Sequence, residues 1–235
     1  MDGRSVENNP KGPVYKVAIK DGPGSPKDIL IDVTKSEPHW SRPGKDLEKV
    51  LRETLRMDGV GDVLDFGAGK LRNDPFVLAN GKSVCAVEFE EASFSETTKA
   101  NLAICKRHKE RFRLIDPDKL QSDRRKFDLV LLINVVPTMP LLNERLEVLR
   151  MLGDKLRDGK YLLWFAQQEG KYRKIREAGR NECADGIWLG NGREFKSFYR
   201  YHPIGEVDRM MLGSGLEPFR RLSAGDNDAK IYKKA

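Results

Sequence analysis

Two glycines set directly behind an apolar strand constrain this chain of 235 residues more than any other stretch of it. In Val63-Leu-Asp-Phe-Gly-Ala-Gly69 the apolar run reads as a buried strand, and Gly67 and Gly69 let the backbone turn sharply because they carry no Cβ. A ligand can then lie against bare backbone. Asn73 to Ala79 reads as the helix that follows and Ser83 to Val87 as a second strand, and Glu88 closes that strand nineteen positions after Gly69. This is close to the roughly 20-residue offset at which a carboxylate takes the ribose hydroxyls of a bound nucleoside. The same residues are also compatible with a plain strand-to-helix turn and a solvated strand-end acid; strand, turn, helix, strand and acid in this order favour the nucleoside site. A dinucleotide site prefers a third glycine where this chain has Arg72.

The alternation of strands and helices continues on both sides of this unit. Val14 to Ile19 and Ile29 to Val33 read as a hairpin around the breakers Asp21 to Pro26, and Leu47, Val50, Leu51 and Leu55 mark one face of a helix between Pro43 and Met57. A helix near Ser95 to Lys109 leads to a strand at Phe112 to Ile115, and Phe127 to Asn134, apolar from Leu129 to Ile133, is a further strand. Runs of that kind suit a parallel sheet covered by helices on both faces. Leucines at 142, 146, 149, 152 and 156 predict one helix that stops at Asp158-Gly159, before a strand at Tyr161 to Phe165. The tail predicts a helix at Gly205 to Leu212 and strands at Glu217 to Leu222 and Ala229 to Lys233, antiparallel because only a short turn joins them. The expected fold is therefore α/β, a mostly parallel sheet with a reversed closing strand, preceded by an N-terminal β-hairpin. Residues 1–42 are read as an extension and 43–235 as the main domain.

Composition narrows the function classes. With 39% hydrophobic and 34% charged residues the chain is expected to be globular with a heavily charged surface. No apolar run reaches the roughly 20 residues of a membrane span, and Met1 to Pro10 lacks a signal-peptide core, so a cytoplasmic location is expected. Cys85, Cys105 and Cys183 lie far apart and form no CxxC pair, which argues against a disulfide framework or a zinc site and for a buried Cys85. A formal net charge of +7 favours anionic partners only modestly.

Val63 to Gly69 resembles motif I of the class I S-adenosylmethionine (SAM)-dependent methyltransferases, with Asp65 as the acid two residues before the first glycine. The likeness continues through Ala86 to Phe89, Asp116, Phe127 to Pro137, Leu156 to Leu163 and the closing strand pair. The family often has a third glycine where this chain has Leu71. This resemblance implies a Rossmann-like methyltransferase fold and SAM as cofactor, with Asp65 belonging to the cofactor motif. Gly67, Ala68 and Gly69 are then expected beneath SAM, the amides opening the next helix at its methionine carboxylate, and Glu88 on both ribose hydroxyls. The resemblance further implies Phe89 against the adenine, Asp116 at its amino group, and Asn134 and Val135 nearest the sulfonium. Leu132 to Pro137 also resembles methyltransferases found with DNA phosphorothioation systems, although Asn134-Val-Val-Pro137 lacks the aromatic platform of the amino-methylating enzymes.

Methyl transfer needs alignment and only sometimes a base. Asn134 and His39 are the candidate catalytic residues, and His202 and Tyr199 are readable either as parts of the site or as ordinary surface groups. The insert at Gln167 to Pro203 holds Trp188, Phe195, Phe198, Tyr199 and Tyr201, and from 170 to 200 it carries eight Lys/Arg against four acids. Interleaved aromatic and basic residues suit nucleic acid, which is the acceptor the sequence leans to, and equally suit a lid with an apolar underside. A small-molecule or protein acceptor and a SAM-binding module without catalysis are the alternatives.

Overall fold

Apolar side chains that recur every three or four residues, or fill a strand on both faces, leave few arrangements that hide them from water, and the chain adopts one of these. A computed structural model describes residues 8–9, 12–19, 27–36, 42–89, 95–167, 169–177, 181–190 and 195–235. The chain opens with β1 (Asn8–Asn9), β2 (Gly12–Ile19) and β3 (Lys27–Asp32), followed by α1 (Lys45–Leu55). Leu47, Val50, Leu51 and Leu55 of α1 are all buried, as their spacing requires.

Then come β4 (Asp62–Phe66), α2 (Asp74–Ala79), β5 (Ser83–Val87), α3 (Glu96–Lys106), β6 (Phe112–Ile115), α4 (Pro117–Ser122), β7 (Phe127–Ile133), α5 (Leu142–Lys155) and β8 (Leu156–Gln167). Every residue of β7 is buried, so this strand lies in the middle of the molecule. The chain ends with α6 (Glu169–Glu177), β9 (Glu182–Cys183), β10 (Gly186–Leu189), β11 (Phe195–Tyr199), α7 (Ile204–Leu212), β12 (Leu216–Leu222) and β13 (Asn227–Lys234).

Seven strands form the main sheet in the order β12-β13-β8-β7-β4-β5-β6. The pairs among β6, β5, β4, β7 and β8 are parallel, and β13 runs antiparallel to both β8 and β12. This is the expected α/β architecture with its reversed strand. One apolar cluster packs on each face, one including Leu51, Val63, Leu129 and Ile231, the other Leu64, Val130, Leu152 and Trp164.

The expected N-terminal hairpin is present as β2 and β3, but it does not stand alone. Strand β11 pairs parallel with β3 and antiparallel with β10, β10 pairs with β9, and a bridge between Ile19 and Cys183 brings β9 back to β2. The first strands and the insert thus build one curled sheet. Its core holds Tyr15, Val17, Ile29, Ile31 and Phe198. A buried arginine seats this sheet on the main one: Arg145 of α5, fully inaccessible, donates to both carboxylate oxygens of Asp185 at 2.7 Å and to the carbonyls of Met139 and Pro140. Tyr15 of β2 donates to Glu144 of the same helix at 2.5 Å.

The sequence reading needs three corrections. Leu156 is not the last leucine of a helix ended by Asp158-Gly159; α5 stops at Lys155, and Leu156 opens β8 opposite Phe127, with an irregular register before Leu129 meets Tyr161. Val33 leaves β3 and starts a 3-10 turn, because Asp32 Oδ1 accepts both the N–H and the hydroxyl of Thr34 and ends the ladder. Strand β7 ends at Ile133, and Asn134 turns out of it at φ 57°. A short helix not expected from the sequence is α4: the Asp116 side chain accepts from Asp118 N–H and caps it, with Pro117 as the first helical residue. All three cysteines are free and buried, and no described helix is long and apolar enough to cross a membrane.

Candidate cofactor cavity

The carboxyl ends of β4, β5 and β7 meet at one edge of the main sheet, and the loops leaving them enclose a cavity of about 120 Å³. Ligands in such sheets bind at this edge, where strand order reverses. Gly67 and Gly69 adopt φ of 68° and 55°, a left-handed path that glycine takes without penalty. The N–H groups of Gly67 and Ala68 both donate to the carbonyl of Val87, which ties the turn to β5. Leu71, where the related motif often has a third glycine, also stands at φ 54°, its side chain buried in the core. The chain departs from that motif in residue but keeps a glycine-like backbone path.

Glu88 follows β5 and lines the cavity. One of its oxygens accepts the N–H of Gly69 at 2.5 Å and the other that of Phe89 at 2.9 Å. A carboxylate has about four acceptor positions, so one remains on each oxygen after these bonds form. Burial raises the Glu88 pKa, the two amide bonds oppose that rise, and the charge of Asp116 adds to it. The two amides favour the charged form, against burial and the Asp116 charge.

Of the residues singled out in the sequence, Gly67, Ala68, Gly69, Glu88, Phe89, Asn134 and Val135 all line this cavity. Asp65 lies beneath the turn, wholly buried, where Asn73 Nδ2 donates to it at 3.2 Å. Burial pushes its pKa up to about 7 and also raises that of its buried neighbour Asp74. Asp116 acts on the site through its charge, from the cap of α4, and is not part of the wall. His39 lies outside the described residues. His202 is away from the cavity, buried against Trp164 and beside Glu206, and burial holds its pKa down to about 4. Tyr199 donates to the Gln167 carbonyl at 3.0 Å.

The sequence reading missed Val33, Thr34 and Thr138, which complete one wall, and Lys70, Arg72 and Asn73, which supply its polar part. The last three follow the glycine turn directly, so their place was available from the motif; the first two arrive only because β3 is carried to this edge by the second sheet. Asn134 donates its N–H to Phe165, and its side-chain oxygen accepts from Gln167 N–H at 3.2 Å. Among the described residues the wall contains no histidine or cysteine, and Glu88 is its only acid.

Among the described residues, the insert's aromatic side chains are buried or packed against one another. Phe198 is 1% exposed and Tyr172 6%, Tyr172 meets Tyr199 and Tyr201 edge-on or tilted, and Trp188 lies under the Lys196 ammonium.

No family model matches the chain, and no curated protein sequence matches it. Solved structures do. The 1,6-didemethyltoxoflavin-N1-methyltransferase of Burkholderia thailandensis, crystallised with its substrate and S-adenosylhomocysteine, is 18% identical with a TM-score of 0.61, over 81% of this chain and 79% of that one. The CcbJ methyltransferase of Streptomyces caelestis is 17% identical at a TM-score of 0.63, over 84% of this chain and all of that one (100%). The magnesium protoporphyrin IX methyltransferase of Synechocystis, with S-adenosylhomocysteine bound, is 14% identical at 0.58, over 80% of each chain. The fold is thus that of the SAM-dependent methyltransferases.

Proposed function

We propose that this chain is a SAM-dependent methyltransferase whose cofactor lies across the Gly67–Gly69 turn. The observation that carries this reading is Glu88: two backbone amides orient its carboxylate at the cavity wall, and each oxygen keeps an acceptor position for one of two neighbouring hydroxyls. Phe89 beside it offers an apolar face for a base. Lys70 and Arg72 supply the positive charge that a carboxylate needs. They take over the role first assigned to the opening amides of α2, a six-residue helix whose first turn holds the buried Asp74.

When bound, SAM supplies a methyl carbon activated by positively charged sulfur. The protein's part is then to align donor and acceptor and to exclude water. Asn134 acts as a positioning residue: its amide oxygen is held by Gln167 N–H, which leaves the amide nitrogen as a donor. Val33, Ile133 and Val135 give the wall an apolar part, and Thr34 and Thr138 give it hydroxyls. A small, largely apolar acceptor fits this wall, and the three named structural relatives include enzymes of a toxoflavin precursor and a porphyrin. We read residues 43–235 as the methyltransferase domain and 1–42 as an extension whose strands β2 and β3 pair with strands of the insert.

A nucleic-acid acceptor is the second reading. It is favoured by the formal net charge of +7 and by the likeness of Leu132 to Pro137 to methyltransferases of DNA phosphorothioation systems. Incubation with radiolabelled SAM and fractionated cell extract tests the assignment. Label entering a low-molecular-weight fraction supports the first reading, and label entering nucleic acid supports the second. SAM binding with label in no fraction would leave a binding module without catalysis.

A further inference from the structure

The opposite edge of the main sheet carries a second concavity. Asp62, Ser83 and Phe127 open β4, β5 and β7 and line a cleft of about 310 Å³, whereas Gly67, Glu88 and Asn134 follow the same strands at the cofactor edge. A five-residue strand separates the two by roughly 17 Å at about 3.3 Å per residue.

Five cationic side chains against two acids line this cleft. Two of the cations are neutralised: Arg157 pairs with Asp62 at 2.9 Å and Asp128 at 2.6 Å, and Arg125 pairs with Asp123. The other three keep their charge. Arg111 donates to the carbonyls of Leu78 and Lys82, lies 3.1 Å from His108 Nδ1 and has no carboxylate partner among the described residues; Lys126 bonds the Asp154 carbonyl; and Arg113, exposed, makes no hydrogen bond or ion pair among the described residues. On the same edge Lys106, Arg107, Lys109 and Arg124 are exposed, and none of them is ion-paired among the described residues. Hydrogen bonds to carbonyls fix the Arg111 guanidinium without cancelling its charge, and with Glu110 the one lining acid outside an ion pair among the described residues, three charged cations against one acid leave the cleft net positive.

We infer that this cleft binds phosphate esters, and that its ligand is the backbone of a single-stranded nucleic acid. The cleft alone would satisfy one phosphate. The exposed cations of the segments leading into β6 and β7 supply more charge than one phosphate needs, and a chain of phosphates offers a partner to several of them. The site lies too far from the cofactor cavity to be where methyl transfer occurs, and it holds whether or not the methyltransferase reading does. It also differs from the insert, where Phe198 and Tyr172 are buried.

Fluorescence anisotropy with a labelled single-stranded 12-mer, over a range of salt concentrations, tests the inference on the full chain. The wild type is expected to bind, more weakly as salt rises, and Arg107→Glu with Arg113→Glu to weaken binding roughly tenfold or more. Lys174→Glu, in the exposed helix of the insert, is expected to change it little. Melting temperature and SAM affinity should stay at wild-type values in both variants. Absence of binding, equal loss in Lys174→Glu, or displacement of the 12-mer by inorganic phosphate at equal phosphate concentration would overturn the assignment.

Discussion

A Cβ placed on Gly67 would lie 2.6 Å from Cγ2 of Val135, so the turn after β4 and the turn after β7 touch where only hydrogen fits. Gly67→Ala therefore meets two costs, the left-handed φ of 68° and the overlap with Val135. Together they are expected to destabilise the fold by about 2–4 kcal/mol in urea unfolding. Adding Val135→Ala should recover the packing part and leave the backbone part. A single variant as stable as wild type would show that the two turns do not meet.

Arg145 and Asp185 predict an asymmetry. Arg145 is fully buried and Asp185 is 40% exposed. Asp185→Ala strands a guanidinium in the interior with Arg200 nearby, and should cost about 3–5 kcal/mol. Arg145→Met leaves a carboxylate that water can reach, and should cost less. Chemical denaturation of the two variants checks the order; the reverse order would mean that this pair does not seat the second sheet.

Asp65 makes stability depend on pH. Burial raises its pKa from 3.8 to about 7, so the folded chain holds the proton more tightly than the unfolded one. The stability this contributes is complete below about pH 4 and is lost as pH rises through about 7. Wild type should thus lose more stability than Asp65→Asn between about pH 5 and pH 8. His202, with a pKa held down to about 4, contributes in the opposite sense, losing stability as pH falls below its unfolded value, and does so equally in both chains. Parallel urea midpoints for the two proteins across this range would contradict the protonated state.

What was legible in the sequence was whatever depends on neighbours along the chain. The strand-turn-strand from Val63 to Glu88 placed both the glycine bend and its acid, and the apolar run at Leu129 to Ile133 placed the central strand. The pairing of β3 with β11 was not legible, because it joins segments more than 160 residues apart with short strands and no repeated pattern. That pairing brings Val33 and Thr34 to the cavity, so the wall on that side stayed hidden. The burial of Phe198, set between Lys196 and Arg200, was not legible for the same reason, since it is the second sheet that covers it. Asp116-Pro117, by contrast, is a helix start that sequence reading passed over.

Calorimetric titration of SAM into wild type, Glu88→Ala and Glu88→Gln bears most directly on the cofactor site. Loss of the charged acceptor should weaken binding roughly tenfold or more in both variants, with melting temperatures confirming that each remains folded. Unchanged affinity in a folded Glu88→Ala protein would show that the carboxylate at the end of β5 does not hold the cofactor.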